Sequence, residues 1–210
     1  YYKLQSRLPS GKRSSFYYFI QAINKSLYQF FSSIIGEHTD ILYPLVATFF
    51  LYILLQNLLG LFPGVGSILL KIASHAEESH YVPLLRGGTA DLNTTLALGF
   101  FSVVATQYYG IKILGFKSYL KKFFNFKNPI SLFTGILEIF SEFSKIISFS
   151  FRLFGNIFAG EVLLGVIAFL IPVLASFPFL LLEIFVGFIQ ALIFSTLTAV
   201  FLNSAVAQHH

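Results

Sequence analysis

In residues 1–36 a basic lead is followed by apolar side chains that return every three or four positions. Phe16, Phe19, Ile20, Ile23, Leu27, Phe30, Phe31 and Ile34 make one stripe, and Gln21, Asn24, Lys25 and Gln29 fall on the other side. That pattern predicts an amphipathic helix lying in a membrane interface. Periodicity then gives way to continuous apolar sequence. Ile41 to Phe62 predicts a spanning helix stopped at Pro63-Gly64, Ser67 to Gly88 a polar loop with room for a short helical turn, and Leu92 to Ile111 a second span. Pro129 opens an apolar segment reaching about Leu170. At about 1.5 Å per residue it is too long to cross a core of about 30 Å upright, so it must be strongly tilted or partly flat. Pro172 and Pro178 are expected to break it, and the last helix then runs from about Phe179 to Leu202. Neither internal repeats nor low-complexity tracts are present.

The expected fold is therefore an all-α membrane protein with an interfacial amphipathic helix, two spanning helices and two long, strongly tilted helices. Residues 1–40 form the basic lead and interfacial helix, and 41–210 the membrane domain. Within the latter, 63–91 is an external loop, 112–128 a loop on the cytoplasmic or matrix side, and 129–203 a tilted helical hairpin.

Composition agrees and excludes other classes. The 210 residues are 56% hydrophobic and 11% charged, with a mean hydropathy of +0.76, against about 25% charge in a soluble domain. No Asp, Glu, Lys or Arg occurs in Ile41–Leu70, Leu92–Ile111, Val162–Leu182 or Ile184–His210. A soluble enzyme, a disordered chain and a coiled-coil rod are all incompatible with this. Without cysteine there is no disulfide, thiolate or Cys-based zinc site, and the lack of methionine predicts that residues precede Tyr1.

The net charge of +5 reports topology, not nucleic acid. Lys3, Arg7, Lys12, Arg13 and Lys25 precede the first apolar run, and Lys112, Lys117, Lys121, Lys122 and Lys127 cluster between the second span and the hairpin. The segment from Pro63 to Asp91 carries only Lys71 and Arg86 against Glu77, Glu78 and Asp91. The positive-inside rule puts the two basic regions on one side and this segment on the other.

Candidate chemistry lies in the last two helices. Glu138, Glu142, Lys145, Arg152, Glu161 and Glu183 interrupt sequence that is otherwise Phe, Leu, Ile and Val. An arginine at mid-bilayer costs about 2.5–3.5 kcal/mol on insertion scales, so such residues face protein or water and mark ion paths. At about 100° per residue Glu138, Glu142, Lys145, Phe149, Arg152 and Asn156 share one stripe. Glu161, nine positions beyond Arg152, falls about half a turn round and about 13 Å further along. Glu183 and Gln190, seven apart, share a face of the last helix. A small-ligand pocket does not need a fixed cation with carboxylates before and behind it on different faces. An ion path with a positive barrier does.

The plainer readings differ in strength. Arg152 as a snorkelling or paired structural residue is the weaker account, given its central place beside Gly155 and Asn156. Glu138, Glu142 and Lys145 are as well explained by mutual neutralisation at the helix entrance. His75 and His80 belong to a solvated loop, and His209 and His210 to the chain end. Gly64-Val65-Gly66 and Arg86-Gly87-Gly88 are turns, lacking phosphate-loop spacing. The phenylalanines face lipid or pack helices, so no nucleic-acid partner and no metal site is expected.

The run Ser148-Phe149-Ser150-Phe151-Arg152-Leu153-Phe154-Gly155-Asn156-Ile157-Phe158-Ala159-Gly160-Glu161 resembles the signature of subunit a of the F-type rotary ATP synthase. Three further stretches match in order: Asn57-Leu58-Leu59-Gly60-Leu61-Phe62-Pro63-Gly64, Thr89-Ala90-Asp91-Leu92-Asn93-Thr94-Thr95, and Glu183 through Gln190-Ala191-Leu192-Ile193-Phe194. The resemblance covers nearly the whole chain from about Leu8. It implies a proton-translocating stator subunit that is not itself an enzyme, needs no cofactor, and holds two offset half-channels against a ring of c subunits. Peripheral stalk b subunits, other ATP synthase subunits and the lipid bilayer are the further partners. By the same resemblance Arg152 matches the essential arginine, which attracts the ring carboxylate and bars a leak. Glu161 and Glu183 match the outer proton relay, Asn156 and Gln190 the polar residues beside the arginine, and Glu138, Lys145 and Ser148 the inner half-channel. Asp91 and Asn93 match the external side. Ile146 stands where many relatives have proline, and Gly88 replaces another. Glu at 161, instead of His, favours a bacterial or plastid protein over most mitochondrial ones; the expected location is a bacterial plasma membrane, with a mitochondrial inner or plastid thylakoid membrane as the alternatives. The alternatives are a sodium-translocating form of the same subunit and an unrelated small secondary transporter. The latter lacks support, because no half-repeats are found.

Overall fold

The computed structural model describes residues 15–62, 69–72, 80–83, 87–116, 119, 129–171 and 176–207. The basic lead before Ser15, Pro63-Gly64, Gly66, His75, Arg86, the lysines from 117 to 127, Pro172 and the terminal histidines lie outside them. Among the described residues five long helices make up the fold: α1 (Ser15–Ile35), α2 (Thr39–Gly60), α3 (Leu92–Leu114), α4 (Pro129–Leu170) and α5 (Ser176–Val206). Among the described residues there are four apolar runs long enough to cross a membrane, with Ser15–Gly60 counted as one. The chain is an integral membrane protein of all-α type.

Each element follows from local chemistry. A 3-10 turn at Gly36–His38 joins α1 to α2, and Gly36 adopts a φ of +72°, where a side chain would be strained. Tyr28 donates a hydrogen bond to Asp40 Oδ1 at 2.7 Å, and the Tyr43 hydroxyl reaches the Asn24 side chain and carbonyl, fixing the bend. Asp91 caps α3, its Oδ1 accepting from the Asn93 N–H at 3.2 Å. The polar loop differs in detail from the sequence expectation. Leu69–Ile72 and His80–Pro83 pair as antiparallel strands β1 and β2, with Leu69 opposite Pro83, and the helical turn comes after them at Gly88–Ala90.

Helix α4 runs unbroken for 42 residues, about 63 Å at the standard rise and twice the thickness of a bilayer core. The expected break at Pro178 does not occur. Pro178 sits in the first turn of α5, where its missing N–H would have had no helical partner.

Packing centres on α5, which touches all four other helices. Its buried face is mostly small or polar: Gly187, Gln190, Ala191, Ser195, Thr198, Ala199 and Ala205 lie among Phe194, Leu202 and Val206. Small residues let backbones approach closely where lipid removes the hydrophobic drive to associate. Among the described residues a hydrogen bond ties α5 to each neighbour. Asn203 donates to the Ile34 carbonyl of α1 at 3.0 Å, and Asn57 of α2 donates to the Gly187 carbonyl at 2.9 Å. Ser102 of α3 and Thr198 share a bond of 2.9 Å, and Asn156 of α4 donates to Gln190 at 2.8 Å. Between these bonds runs an aromatic layer. Phe149 stacks on Phe194 and Phe201, with centroids 4.8 and 5.6 Å apart, and Phe194 meets Phe49 at 5.4 Å. Helices α3 and α4 meet through Gly99, where an added Cβ would lie 2.6 Å from Ser150 Oγ and 3.0 Å from the Ile146 carbonyl.

If the Ser102–Thr198 bond holds α3 to α5, Ser102→Ala and Thr198→Val should couple by about 0.6 kcal/mol in a double-mutant cycle of detergent-induced unfolding. Strictly additive costs would remove that bond from the account.

Candidate functional site

Polar side chains lie at three levels along α4, with about 21 Å of helix from Glu138 to Arg152 and about 13 Å from Arg152 to Glu161. The buried positions Gly135, Phe149, Ser150, Leu153, Ile157 and Gly160 occupy a sector of about 100°. Arg152 projects about 60° outside one edge of it and Glu161 about 20° outside the other. The half-turn separation expected from the sequence thus places them on opposite flanks of the packed face. Phe149, grouped with Arg152 by periodicity, belongs instead to the buried sector.

At the level of Glu161 the Glu183 side chain is buried on α5 with its carboxylate against Gly160, where a Cβ would overlap it. Glu161, next in sequence to Gly160, brings an Oε1 within 4.0 Å of the Cβ position of Gly60 on α2. Gly60 in turn closes on Gly87, whose own added Cβ would lie 3.1 Å from the Gly60 Cα. Gln56 Oε1 accepts from the Gly88 N–H at 3.0 Å and holds this turn in place. Three glycines therefore make room for two carboxylates. Asn57 Oδ1 and Thr89 Oγ1, both buried nearby on α2 and the turn, lack a hydrogen-bond partner among the described residues, as buried groups that bind water do. Asp91 and Asn93 sit at the exposed start of α3, and the Asp91 carboxylate is engaged as its cap, accepting from Thr94 as well at 3.4 Å.

In the middle Arg152 is exposed, with Nη2 3.4 Å from Ser148 Oγ one turn earlier. Gly155 leaves open space beside it. Asn156, one turn further on, is held by buried Gln190.

At the level of Glu138 the Lys145 side chain pairs with Glu142 at 2.7 Å, and its Nζ lies 4.5 Å over the Phe201 ring. Tyr119, beyond the end of α3, packs into the gap at Gly110 and donates to Gln107 Oε1 at 2.5 Å. Burial, with the negative charges of Glu142 and then Glu138, pushes its phenol up to about 12. These groups therefore share one region.

The structure brings together Glu161 and Glu183 through Gly160, and Asn156 with Gln190. It adds Gln56, Asn57, Gln107 and Tyr119, none of which was assigned to the site from sequence, and it pairs Glu142, already on the charged stripe, with Lys145. Gln56 and Asn57 had one visible signal, two amides in a charge-free stretch.

The family described as ATP synthase A chain matches residues 3–203. The chain is 34% identical over 207 residues to ATP synthase subunit a of Syntrophobacter fumaroxidans, covering 97% of this chain and 75% of that protein. To the subunit a of Gloeobacter violaceus it is 39% identical over 166 residues, covering 79% and 61%. To that of Desulforamulus reducens it is 33% identical over 193 residues, covering 87% and 64%. The chain therefore spans less than two thirds of the latter two relatives.

Gly160→Ala should cost about 1–3 kcal/mol of stability by displacing Glu183. Gly165→Ala, with nothing within 4 Å of the added carbon, should be neutral or stabilising by up to about 1 kcal/mol. Equal unfolding midpoints in a detergent titration would show that Glu183 is not seated at Gly160.

Proposed function

The chain belongs to the ATP synthase A chain family, the a subunits of the ion-translocating membrane sector of F-type ATP synthase, and we propose that it is the proton-conducting stator of that sector. The observation that carries this reading is the placement of Arg152. It is an exposed cation midway along α4, flanked by carboxylates that lie at different heights and on different sides of the packed face.

In the proposed cycle a proton enters at the outer level, where Glu183 and Glu161 share the glycine-lined space. It passes to a carboxylate of the c ring, which is thereby neutralised and can rotate into lipid. After nearly a full turn the same site meets the inner level near Glu138 and loses its proton as it approaches Arg152. The guanidinium attracts the bare carboxylate and repels a proton that would pass directly between levels. Asn156 and Gln190 hold the neighbouring surface, and Ser148 supports the guanidinium. The buried, unpaired Asn57 Oδ1 and Thr89 Oγ1 at the outer level, and Glu142 Oε2 and Gln107 Nε2 at the inner level, are places for water in two separate half-channels. Each charge crossing is worth about 2.3 kcal/mol per 100 mV, which the ring turns into torque.

On this reading the exposed face of α4 around Arg152 meets the c ring, with α4 and α5 strongly tilted, and α1 lies along the interface with Phe16, Phe19 and Ile20 towards lipid. Stalk b subunits and other subunits of the complex are further partners, and the membrane is a bacterial plasma membrane.

In vesicles bearing the assembled complex, Arg152→Ala should abolish coupled pumping and ATP synthesis. Persistence of coupled activity would make Arg152 structural and end the proposal. Glu183→Gln should slow transport at least about tenfold in both directions, in line with loss of one proton-transfer group, and unchanged flux would remove it from the path. A requirement for sodium in place of protons would transfer the same geometry to the other ion.

A further inference from the structure

In the cycle above Glu142 carries no proton and only offers its Oε2 to water, yet it lies within the packed sector of α4 and is largely buried. Its Oε1 holds Lys145 at 2.7 Å, while Oε2 is buried without a hydrogen-bond partner among the described residues. Lys145 is in turn pinned over the Phe201 ring. Lys145 stands two turns from Glu138 on the same flank of α4, about 10 Å along the axis. We infer that Glu142 is the dedicated counter-ion of Lys145, an electrostatic positioning residue that keeps the lysine from repelling protons on the inner path at Glu138. This inference rests on the proposed proton path through the inner level.

The surroundings leave Glu142 this role. Facing the pair from α4 are Glu138 and the pair itself. From α3 come uncharged Gln107, whose Nε2 is also unpartnered, and Lys112, which lies 5.8 and 6.0 Å over the rings of Tyr108 and Tyr109 at the helix end. Tyr119 stays neutral, because burial and the neighbouring carboxylates hold its phenol at about 12. From Ile184 onward α5 has no ionisable side chain. Neutralisation of Lys145 in the described ion pair therefore falls to Glu142. A unit charge about 10 Å away, at an effective dielectric constant of about 20, is worth about one pH unit at the affected site.

The test uses the whole complex in inverted vesicles, where the medium bathes the inner level and its pH controls proton loading during ATP-driven pumping. Glu142→Gln should move the midpoint of the pumping profile about one unit towards acid. Adding Lys145→Gln to it should return the midpoint towards its native position, whatever the height of the profile. Lys145→Gln alone leaves Glu142 unneutralised and should move the midpoint about one unit towards alkali, so it carries the test if Glu142→Gln does not assemble. Glu138→Gln, run in parallel, separates the two levels of inference. If it shifts the profile and Glu142→Gln does not, the counter-ion role is overturned and the inner path stands. If neither shifts it, both fall. If Glu142→Gln shifts it but the double variant stays shifted, Glu142 handles protons itself and the counter-ion role is overturned.

Discussion

A helix surrounded by hydrocarbon gains nothing by hiding its apolar side chains from lipid, so α5 has to be held by close packing and hydrogen bonds. The rest of the molecule depends on this. The inward face of α5 is built from glycine, alanine, serine and threonine, and it donates to, accepts from or shares one bond with each of the other four helices. Because α5 and α3 bury a sector of only about 100° on α4, much of the remaining surface of α4 is exposed among the described residues. Arg152 stands on that surface, exposed in the protein alone.

The same economy explains how carboxylates are tolerated. Glu183 is buried, and it fits because Gly160 offers no side chain. Glu161 fits because Gly60 and Gly87 meet backbone to backbone. Space made by glycines on three different segments lets two acidic groups gather at one end of the bundle. At the opposite end the solution is pairing: Glu142 with Lys145, and Lys145 with an aromatic face. One helix thereby carries two unlike electrostatic environments separated by its arginine.

Much of this was legible in the sequence, for identifiable reasons. Charge-free apolar runs and buried charges announce themselves in a membrane protein, and the arginine-bearing stretch is long enough to mark the family. The half-turn offset of Glu161 from Arg152 needed only the helical period. Periodicity could not decide which part of a broad stripe would be packed, so Phe149 was grouped with Arg152 although it is buried against Phe194. Proline chemistry alone does not say whether Pro178 ends one helix or opens the next, since both leave its nitrogen without need of a hydrogen. The β1–β2 pairing is set by contacts between residues about ten apart in a polar loop, where no alternation of apolar side chains signals a strand. Gln107 and Tyr119 meet only because the chain turns back beyond Leu114 onto α3, which no local pattern foretells.

The aromatic layer bears on electrical insulation. A machine driven by a membrane voltage fails if charge can short-circuit through its own interior. Between Gln190 at one level and Lys145 at the other, the rings of Phe194, Phe149 and Phe201 fill the seam between α4 and α5, while the hydroxyls of Ser150 and Thr198 are bonded towards α3. None of the rings offers a lone pair on which a proton could rest. Under the proposed reading, the dielectric of the motor is thus built into the same helices that carry its terminals.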